Sequence, residues 1–143
     1  MAVTKVYGLF LKSLATKQIN LETDTFKMML CSSGYTPNQD THQYKNQVTS
    51  EVTGTGYTAG GAVLSAVTLT YDAASNTLVL DASDVDWLNA TLTADWAVIY
   101  DNTPSSDATR PVVAYIALSG LSSTSSTFHV GFDPTGVVAL TAA

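Results

Sequence analysis

The chain has 143 residues, of which 45% are hydrophobic and only 13% are charged. This length permits one domain with a packed core, and the low charge excludes disorder caused by charge repulsion. The 21 Thr and 14 Ser residues favour strands and turns over helix interiors. A net charge of −6 excludes nucleic-acid binding that depends on neutralising phosphates.

The charges are unevenly distributed along the chain. Residues 1–45 carry five Lys and three acidic residues, a net of +2, whereas residues 46–143 carry Arg110 and nine acidic residues, a net of −8. Such polarity can orient a protein on a charged partner, although lysines scattered over a solvated face give the same count. Cys31 is the only cysteine, which excludes an intramolecular disulfide and a cysteine-rich metal site.

Residues 1–20 are predicted to form an N-terminal arm and one short helix. Apolar residues at i, i+3, i+4 and i+7 define the buried helix face, and they are Tyr7, Phe10, Leu11 and Leu14. The residues expected to point away from that face are Lys12, Ser13 and Lys17. Because Lys5, Gly8 and Lys12 interrupt the apolar residues, we expect neither a signal peptide nor a membrane span, and synthesis in the cytoplasm.

The next segments are a strand and a long irregular stretch. Phe26, Met28 and Leu30 alternate with their neighbours before a Ser-Ser-Gly turn, which predicts the first long strand. Residues 35–61 form a mostly polar excursion that contains Gly and Tyr, with one capped helical turn predicted at residues 40–44. A long excursion in a compact domain is usually functional or disordered.

From residue 62 onward the pattern is one of strands and turns. Apolar alternation predicts a hairpin around a loop at residues 72–76. Further strands are predicted at residues 94–100, 112–118, 127–132 and 137–141, and the serine tract 122–126 is predicted to be a turn or an exposed loop. About seven strands and one early helix predict a single, mainly β domain over residues 1–143, either an antiparallel β-sandwich or an open, jelly-roll-like barrel.

No motif for catalysis, a cofactor or a metal emerges from the sequence. The glycine-rich run at residues 54–59 precedes a strand rather than the helix that a dinucleotide site needs. Asp81, Asp84 and Asp86 lack the spacing of a calcium loop, which favours a solvated acidic turn. His42 and His129 are the only histidines, and neither a serine-nucleophile elbow nor a paired-histidine motif occurs. We therefore predict that the protein is not an enzyme.

The aromatic residues allow two interpretations. Trp87 and Trp96 are able to stack on sugars in a carbohydrate-binding or host-adhesion module, or to anchor a β core. Tyr35, Tyr44 and Tyr57 lie in or beside the excursion, where tyrosine provides either contact area for a partner or packing under a long loop.

Six short sequence segments, referred to below as phrases, occur in an order typical of one protein family. They lie at residues 6–11 (VYGLFL), 24–33 (DTFKMMLCSS), 35–42 (YTPNQDTH), 51–61 (EVTGTGYTAGG), 71–78 (YDAASNTL) and 96–100 (WAVIY). With these phrases the chain resembles small virion structural proteins of tailed bacteriophages, over most of its length up to about Asp101. The phrases are typical of the family but do not distinguish roles within it, and catalytic residues are not part of its pattern.

The resemblance implies a non-enzymatic virion component, namely a capsid decoration or cement protein on the outer surface of the head. Its implied partners are the major capsid protein and further copies of itself, as a dimer or trimer, with no nucleic acid and no membrane. A tail or head–tail joining protein is the alternative. The N-terminal arm and the excursion are expected to carry the contacts, through Val3, Lys5, Val6, Tyr7, Tyr35, Tyr44 and Tyr57. Alanine at Tyr35 and Tyr57 is then expected to reduce particle occupancy and leave the domain folded.

Overall fold

A computed structural model describes residues 4–143. The chain is mainly β, with two antiparallel sheets and one short helix near the N-terminus, which confirms the predicted sandwich class. Helix α1 spans Gly8–Ala15, and a single 3₁₀ turn spans Lys45–Gln47. The strands are β1 Thr4–Val6, β2 Phe26–Cys31, β3 Ala62–Val63, β4 Thr68–Asp72, β5 Thr77–Asp81, β6 Val85–Asp101, β7 Val112–Val130 and β8 Val138–Thr141.

The larger sheet has the order β1-β7-β6-β2-β3, and the smaller sheet has the order β4-β5-β8. Strands β6 and β7, of 17 and 19 residues, are the two longest strands, and they pair along most of their length. Beta-bulges interrupt their register, one of them between Ala94 and Trp96 of β6. On the opposite strand Ser119 and Gly120 have φ angles of 54° and 76°. The bulge gives the ribbon the local bend that such an insertion produces.

The core is one continuous cluster that both sheets supply. Met28 of β2, Ile99 of β6 and Ile116 of β7 are fully buried, and Leu80 of β5 and Val138 of β8 belong to the same cluster. Burying one such side chain contributes about 1.5–3 kcal/mol relative to leaving it in water. Packing between the sheets therefore supplies the main stabilising term in a domain without a disulfide.

The predicted hairpin is confirmed, since β4 and β5 pair from Thr68 with Asp81 to Asp72 with Thr77. The predicted strands at residues 112–118 and 127–132 are instead one strand, β7, and the serine tract between them is part of it. The loop prediction for residues 122–126 is wrong because their polar groups bond to β6. Ser123 Oγ donates to the Ala90 carbonyl at 2.8 Å, and the Ser125 N–H donates to Thr91 Oγ1 at 3.0 Å.

Helix α1 is confirmed, but its buried face is rotated from the prediction. Phe10 and Ser13 are buried, whereas Leu11 is 51% exposed. The cause is the excursion, which covers the Ser13 side of the helix and places Gln43 Nε2 3.4 Å from Ser13 Oγ. The hydrophobic pattern of the helix alone does not contain that contact.

Two further predictions are corrected. The acidic turn predicted around Asp81, Asp84 and Asp86 is split, because Asp81 ends β5 and Asp86 lies within β6. The capped turn predicted at residues 40–44 begins earlier, where Asn38 Oδ1 accepts hydrogen bonds from the N–H groups of Asp40 and Thr41 at 3.1 Å each. The helical turn that follows is the 3₁₀ turn of Lys45–Gln47.

Candidate partner interface

The N-terminal arm is an edge strand of the larger sheet. Strand β1 pairs with β7 from Thr4 with Ile116 to Val6 with Ala114, and Lys5 between them is exposed. Val6 is partly buried, and Val3 lies outside the described residues. Gln39 Nε2 donates to the Val6 carbonyl at 2.9 Å, so the excursion holds the end of the arm in place. Among the arm residues that were predicted for the interface and that the structure describes, Lys5 is the most exposed.

Tyr7 and Tyr35 are core residues rather than surface residues. Tyr7 is 0% exposed and Tyr35 is 2% exposed, and their hydroxyl groups are hydrogen-bonded at 2.7 Å. Burial raises the pKa of Tyr35 to about 12. The expectation that these two side chains contact a partner is therefore corrected: Tyr7 packs on Tyr115 with ring centroids 4.8 Å apart, and His42 of the excursion stacks on Tyr35. Sequence alone allowed both positions because tyrosine suits a core and an interface equally.

His42 completes this buried chain of hydrogen bonds. Its Nδ1 lies 2.9 Å from the Tyr35 hydroxyl and accepts the Asn38 N–H at 3.2 Å. The His42 ring also stacks on Tyr35 with centroids 5.6 Å apart. Burial lowers the pKa of His42 below its usual 6.5. The neutral ring, protonated on Nε2, is the form whose Nδ1 accepts the Asn38 N–H. Through its contacts with the hydroxyl group and the ring of Tyr35, His42 attaches the excursion to the core.

Acid is expected to destabilise the fold through His42. A histidine with a lowered folded pKa contributes stability that is complete above its unfolded pKa of about 6.5 and is lost as the pH falls below that value. Urea unfolding of the wild type and of His42→Asn between pH 7.5 and 5 measures this term, because Asn retains an acceptor near the Nδ1 position without titrating. As the pH falls, the free energy of unfolding of the wild type is expected to decrease more than that of His42→Asn. A difference that does not vary with pH would contradict the assignment.

Tyr44 and Lys45 attach the middle of the excursion to two segments, the turn after α1 and the loop between β6 and β7. The partly buried Tyr44 donates its hydroxyl proton to Gln18 Oε1 at 3.1 Å. Lys45 Nζ lies 2.9 Å from Asp107 Oδ2 and 5.2 Å from the centroid of the Tyr100 ring. Hydrogen bonds from Lys45 and Arg110 hold the pKa of Asp107 below its usual value. Lys45 is therefore engaged within the domain, and its charge is not available to a partner.

Tyr57 fastens the end of the excursion to β2. Its hydroxyl donates to Glu51 Oε1 at 2.7 Å and accepts from the Leu30 N–H at 3.1 Å, and the Gly60 N–H reaches the same carboxylate oxygen at 2.6 Å. Tyr57 is partly buried and is mainly a structural residue. At Gly61 (φ +82°) an added Cβ would lie 1.8 Å from the Met28 carbonyl oxygen, so only glycine fits this approach.

Helix α1 and the turn after it contribute exposed residues that the sequence did not select as interface residues. Leu11 is 51% exposed, and Lys12 in the helix and Lys17 after it are also exposed. Among residues 4–143 none of these lysines, nor Lys5, forms an ion pair. We define Lys5, Leu11, Lys12 and Lys17 as the basic N-terminal face. The excess of positive charge in residues 1–45 predicts the lysines of this face from the sequence. The exposure of Leu11 follows only from the orientation of α1 in the structure.

A polar cluster that the sequence did not reveal lies around His129. His129 Nδ1 lies 2.6 Å from Asp86 Oδ1, and its Nε2 lies 3.6 Å from Asp84 Oδ2. All three side chains are about half exposed, and they link the start of β6 to the end of β7. In the part of the chain that the structure describes, no group of three or more His, Cys, Asp or Glu side chains is arranged to hold a metal ion.

Two further observations concern chemistry and the membrane. The thiol of Cys31 is fully buried, and burial raises its pKa to about 12, so it is protonated at neutral pH. None of the helices within residues 4–143 has the length and apolar character needed to cross a membrane.

Comparison with known proteins leaves the chain without a demonstrated family. It matches none of the protein-family models, curated proteins or solved structures with which it was compared.

Proposed function

We propose that this chain is a non-enzymatic virion structural protein of a tailed bacteriophage, a decoration protein that binds the major capsid protein on the outer surface of the head. The observation that carries the proposal is the ordered set of phrases from residue 6 to residue 100 that resembles such proteins. The β-sandwich suits this role because it presents a rigid surface without a disulfide.

The structure supports a specific surface for the contact. Lys5 on the edge strand and Lys12 on α1 are exposed and form no ion pair within residues 4–143, and Leu11 of α1 adds exposed apolar area. The excursion beside this face is held by Gln39 and Tyr57, so binding requires little ordering of the chain. A decoration protein acts in many copies, and modest contacts of this kind then add up through multivalency.

Binding to heads tests the proposal directly. Purified protein is mixed with undecorated heads of the phage that produces it, the particles are sedimented, and bound copies are counted at 50 to 500 mM salt. Saturation at a copy number related to the head symmetry is expected. Protein that leaves heads unoccupied and assembles into rings or tubes by itself would instead support the tail or head–tail joining alternative.

The basic N-terminal face is tested with two variants of equal charge. Lys5→Gln/Lys12→Gln and Thr124→Glu/Ser126→Glu each lower the net charge by two, but only the first changes this face. The first is expected to bind heads about tenfold more weakly at low salt, with the difference shrinking at 500 mM, because exposed interface charges contribute screened interactions. Equal binding by the two variants would show that the partner contacts another surface.

A further inference from the structure

A shallow cleft lies beside the bulge between β6 and β7. Its volume is about 300 Å³, and its lining includes Ser33, Thr36, Asp95, Trp96 and Ser119. Asp95 lies within the register shift between Ala94 and Trp96 of β6, and Ser119 belongs to the opposite strand, where its φ angle is +54°. On the other side Cys31 of β2 pairs with Trp96, so Ser33 and Thr36, which follow β2, line the same depression.

Four polar side chains of this cleft have no hydrogen-bond partner in the part of the chain that the structure describes. Among residues 4–143 the side chains of Ser33, Thr36, Asp95 and Ser119 neither accept nor donate a hydrogen bond, and Asp95 forms no ion pair. Three hydroxyl groups and one carboxylate are thus directed to solvent at one place. Together they supply both donors and acceptors to a ligand rich in hydroxyl groups.

Trp96 provides the apolar wall of the cleft. Of the two tryptophans, Trp87 is 6% exposed and packs edge to face on Phe128, so it serves the core. Trp96 is only partly buried, and Tyr115 holds its ring at 65° with centroids 6.0 Å apart. An indole fixed in this way and open on one side presents an apolar platform with little entropic cost on binding.

We propose that the Trp96 cleft binds a saccharide. One pyranose ring places its C–H face on the indole of Trp96, while its hydroxyl groups donate to the carboxylate of Asp95 and exchange hydrogen bonds with Ser33, Thr36 and Ser119. A few convergent polar groups around an aromatic wall are the usual composition of a small-molecule site, and the volume accommodates one or two sugar units. The inference does not rest on the proposed attachment to a phage head.

A second cleft in the same ribbon provides an internal comparison. It is larger, about 450 Å³, and is lined by Thr53, Thr91, Thr93 and Ser122 but by no aromatic and no charged side chain. Several of its hydroxyl groups are already engaged, since Thr93 Oγ1 and Ser122 Oγ lie 2.8 Å apart and Thr91 Oγ1 accepts the Ser125 N–H. We expect this hydroxyl cleft not to bind sugars.

Titration with defined sugars tests the proposal. The probes are glucose, galactose, mannose, N-acetylglucosamine and the disaccharides maltose, lactose and chitobiose. Saturation-transfer NMR detects contact, and tryptophan fluorescence of a Trp87→Phe variant, in which Trp96 is the only tryptophan, gives the affinity. At least one sugar is expected to bind with a Kd on the order of 1 mM, the range of a shallow site with few contacts. No saturable binding by any of the seven probes would overturn the proposal.

Variants then locate the site. Asp95→Asn, at a carboxylate that forms no hydrogen bond or ion pair among residues 4–143, is expected to weaken binding about tenfold through loss of charge-assisted hydrogen bonds. Trp96→Ala is expected to abolish it, and Trp96→Phe, which keeps an aromatic ring, to retain part of it; thermal melting checks that each variant is folded. Thr93→Ala in the hydroxyl cleft is the matched control and is expected to bind as the wild type does. Sugar binding that Asp95→Asn and Trp96→Phe leave unchanged would also overturn the proposal.

Discussion

Replacing Tyr35 by alanine is expected to destabilise the domain by about 3–5 kcal/mol, the cost of removing a large aromatic side chain from a core. The ring is 2% exposed, and its hydroxyl group connects Tyr7 at 2.7 Å with His42 at 2.9 Å. Alanine leaves a cavity and also deprives the buried Tyr7 hydroxyl of its hydrogen-bond partner. Urea denaturation followed by circular dichroism measures the loss as a lower midpoint with an unchanged slope.

Two further tyrosine variants separate the contributions. Tyr35→Phe keeps the ring and removes only the hydroxyl group, so it is expected to cost about 1–3 kcal/mol. Tyr71 is 59% exposed, and Tyr71→Ala is the control that is expected to cost less than about 1 kcal/mol. If Tyr35→Ala were as stable as Tyr71→Ala, the excursion would not be packed as described. The result also decides how particle binding is tested, because a destabilised Tyr35 variant does not report on a surface.

Asparagine at Asp101 is expected to stabilise the protein at neutral and alkaline pH. The Asp101 side chain is fully buried; Oδ1 accepts the Thr103 N–H at 2.9 Å, but within residues 4–143 no donor reaches Oδ2. Burial, together with the neighbouring Asp24 carboxylate, raises the pKa of Asp101 to about 7. Ionised Asp101 is thus a buried charge beside a like charge, whereas the amide of Asn is neutral and donates to Asp24.

The direction of the pH dependence follows from the raised pKa. A carboxyl group of this kind contributes stability that is complete below its unfolded pKa of about 3.8 and is lost as the pH rises to about 7. The full rise in the pKa of Asp101 corresponds to about 4 kcal/mol of stability, at 1.36 kcal/mol per pH unit. The actual effect is smaller, because Asp24 is partly exposed and solvent screens its charge. Asp101→Asn is therefore expected to gain on the order of 1–3 kcal/mol at pH 8 and nothing at pH 4.

Matched variants test whether the two carboxylates act as a pair. Asp24→Asn is expected to stabilise the protein at pH 8 as well, and the double variant is expected to gain less than the sum of the two, because either change relieves the same repulsion. Glu22→Gln, a neutralisation of an exposed neighbour, is the control and is expected to change little. An Asp101→Asn protein that is less stable than the wild type at pH 8 would contradict this account of the pair.

The two titrating groups act in opposite directions between pH 4 and pH 7. His42 favours the folded state as the pH rises, and Asp101 favours it as the pH falls. The wild-type profile is therefore expected to be flat in this range compared with the profiles of His42→Asn and Asp101→Asn. His42 lies in the excursion and Asp101 lies at the end of β6.

Elements that depend on local periodicity were predicted correctly from the sequence. Alternating apolar residues identified β2, and the turn residues between β4 and β5 identified the hairpin, because each pattern is complete within about ten residues. The position of α1 and the mainly β class follow in the same way. The serine tract was missed because residues 119–127 of β7 are mostly exposed and polar, so this part of the strand has no hydrophobic pattern.

The surroundings of individual side chains depend on long-range packing, which local patterns do not contain. Tyr35 became a core residue because His42 of the excursion stacks on it, and Asp101 became a buried acid because β6 ends beside Asp24, 77 positions earlier in the chain. Trp96 stayed partly exposed, whereas Trp87 was buried on Phe128, although both lie on the same strand. Burial, pairing and exposure depend on groups far away in the chain, and a single sequence does not specify which distant residues meet.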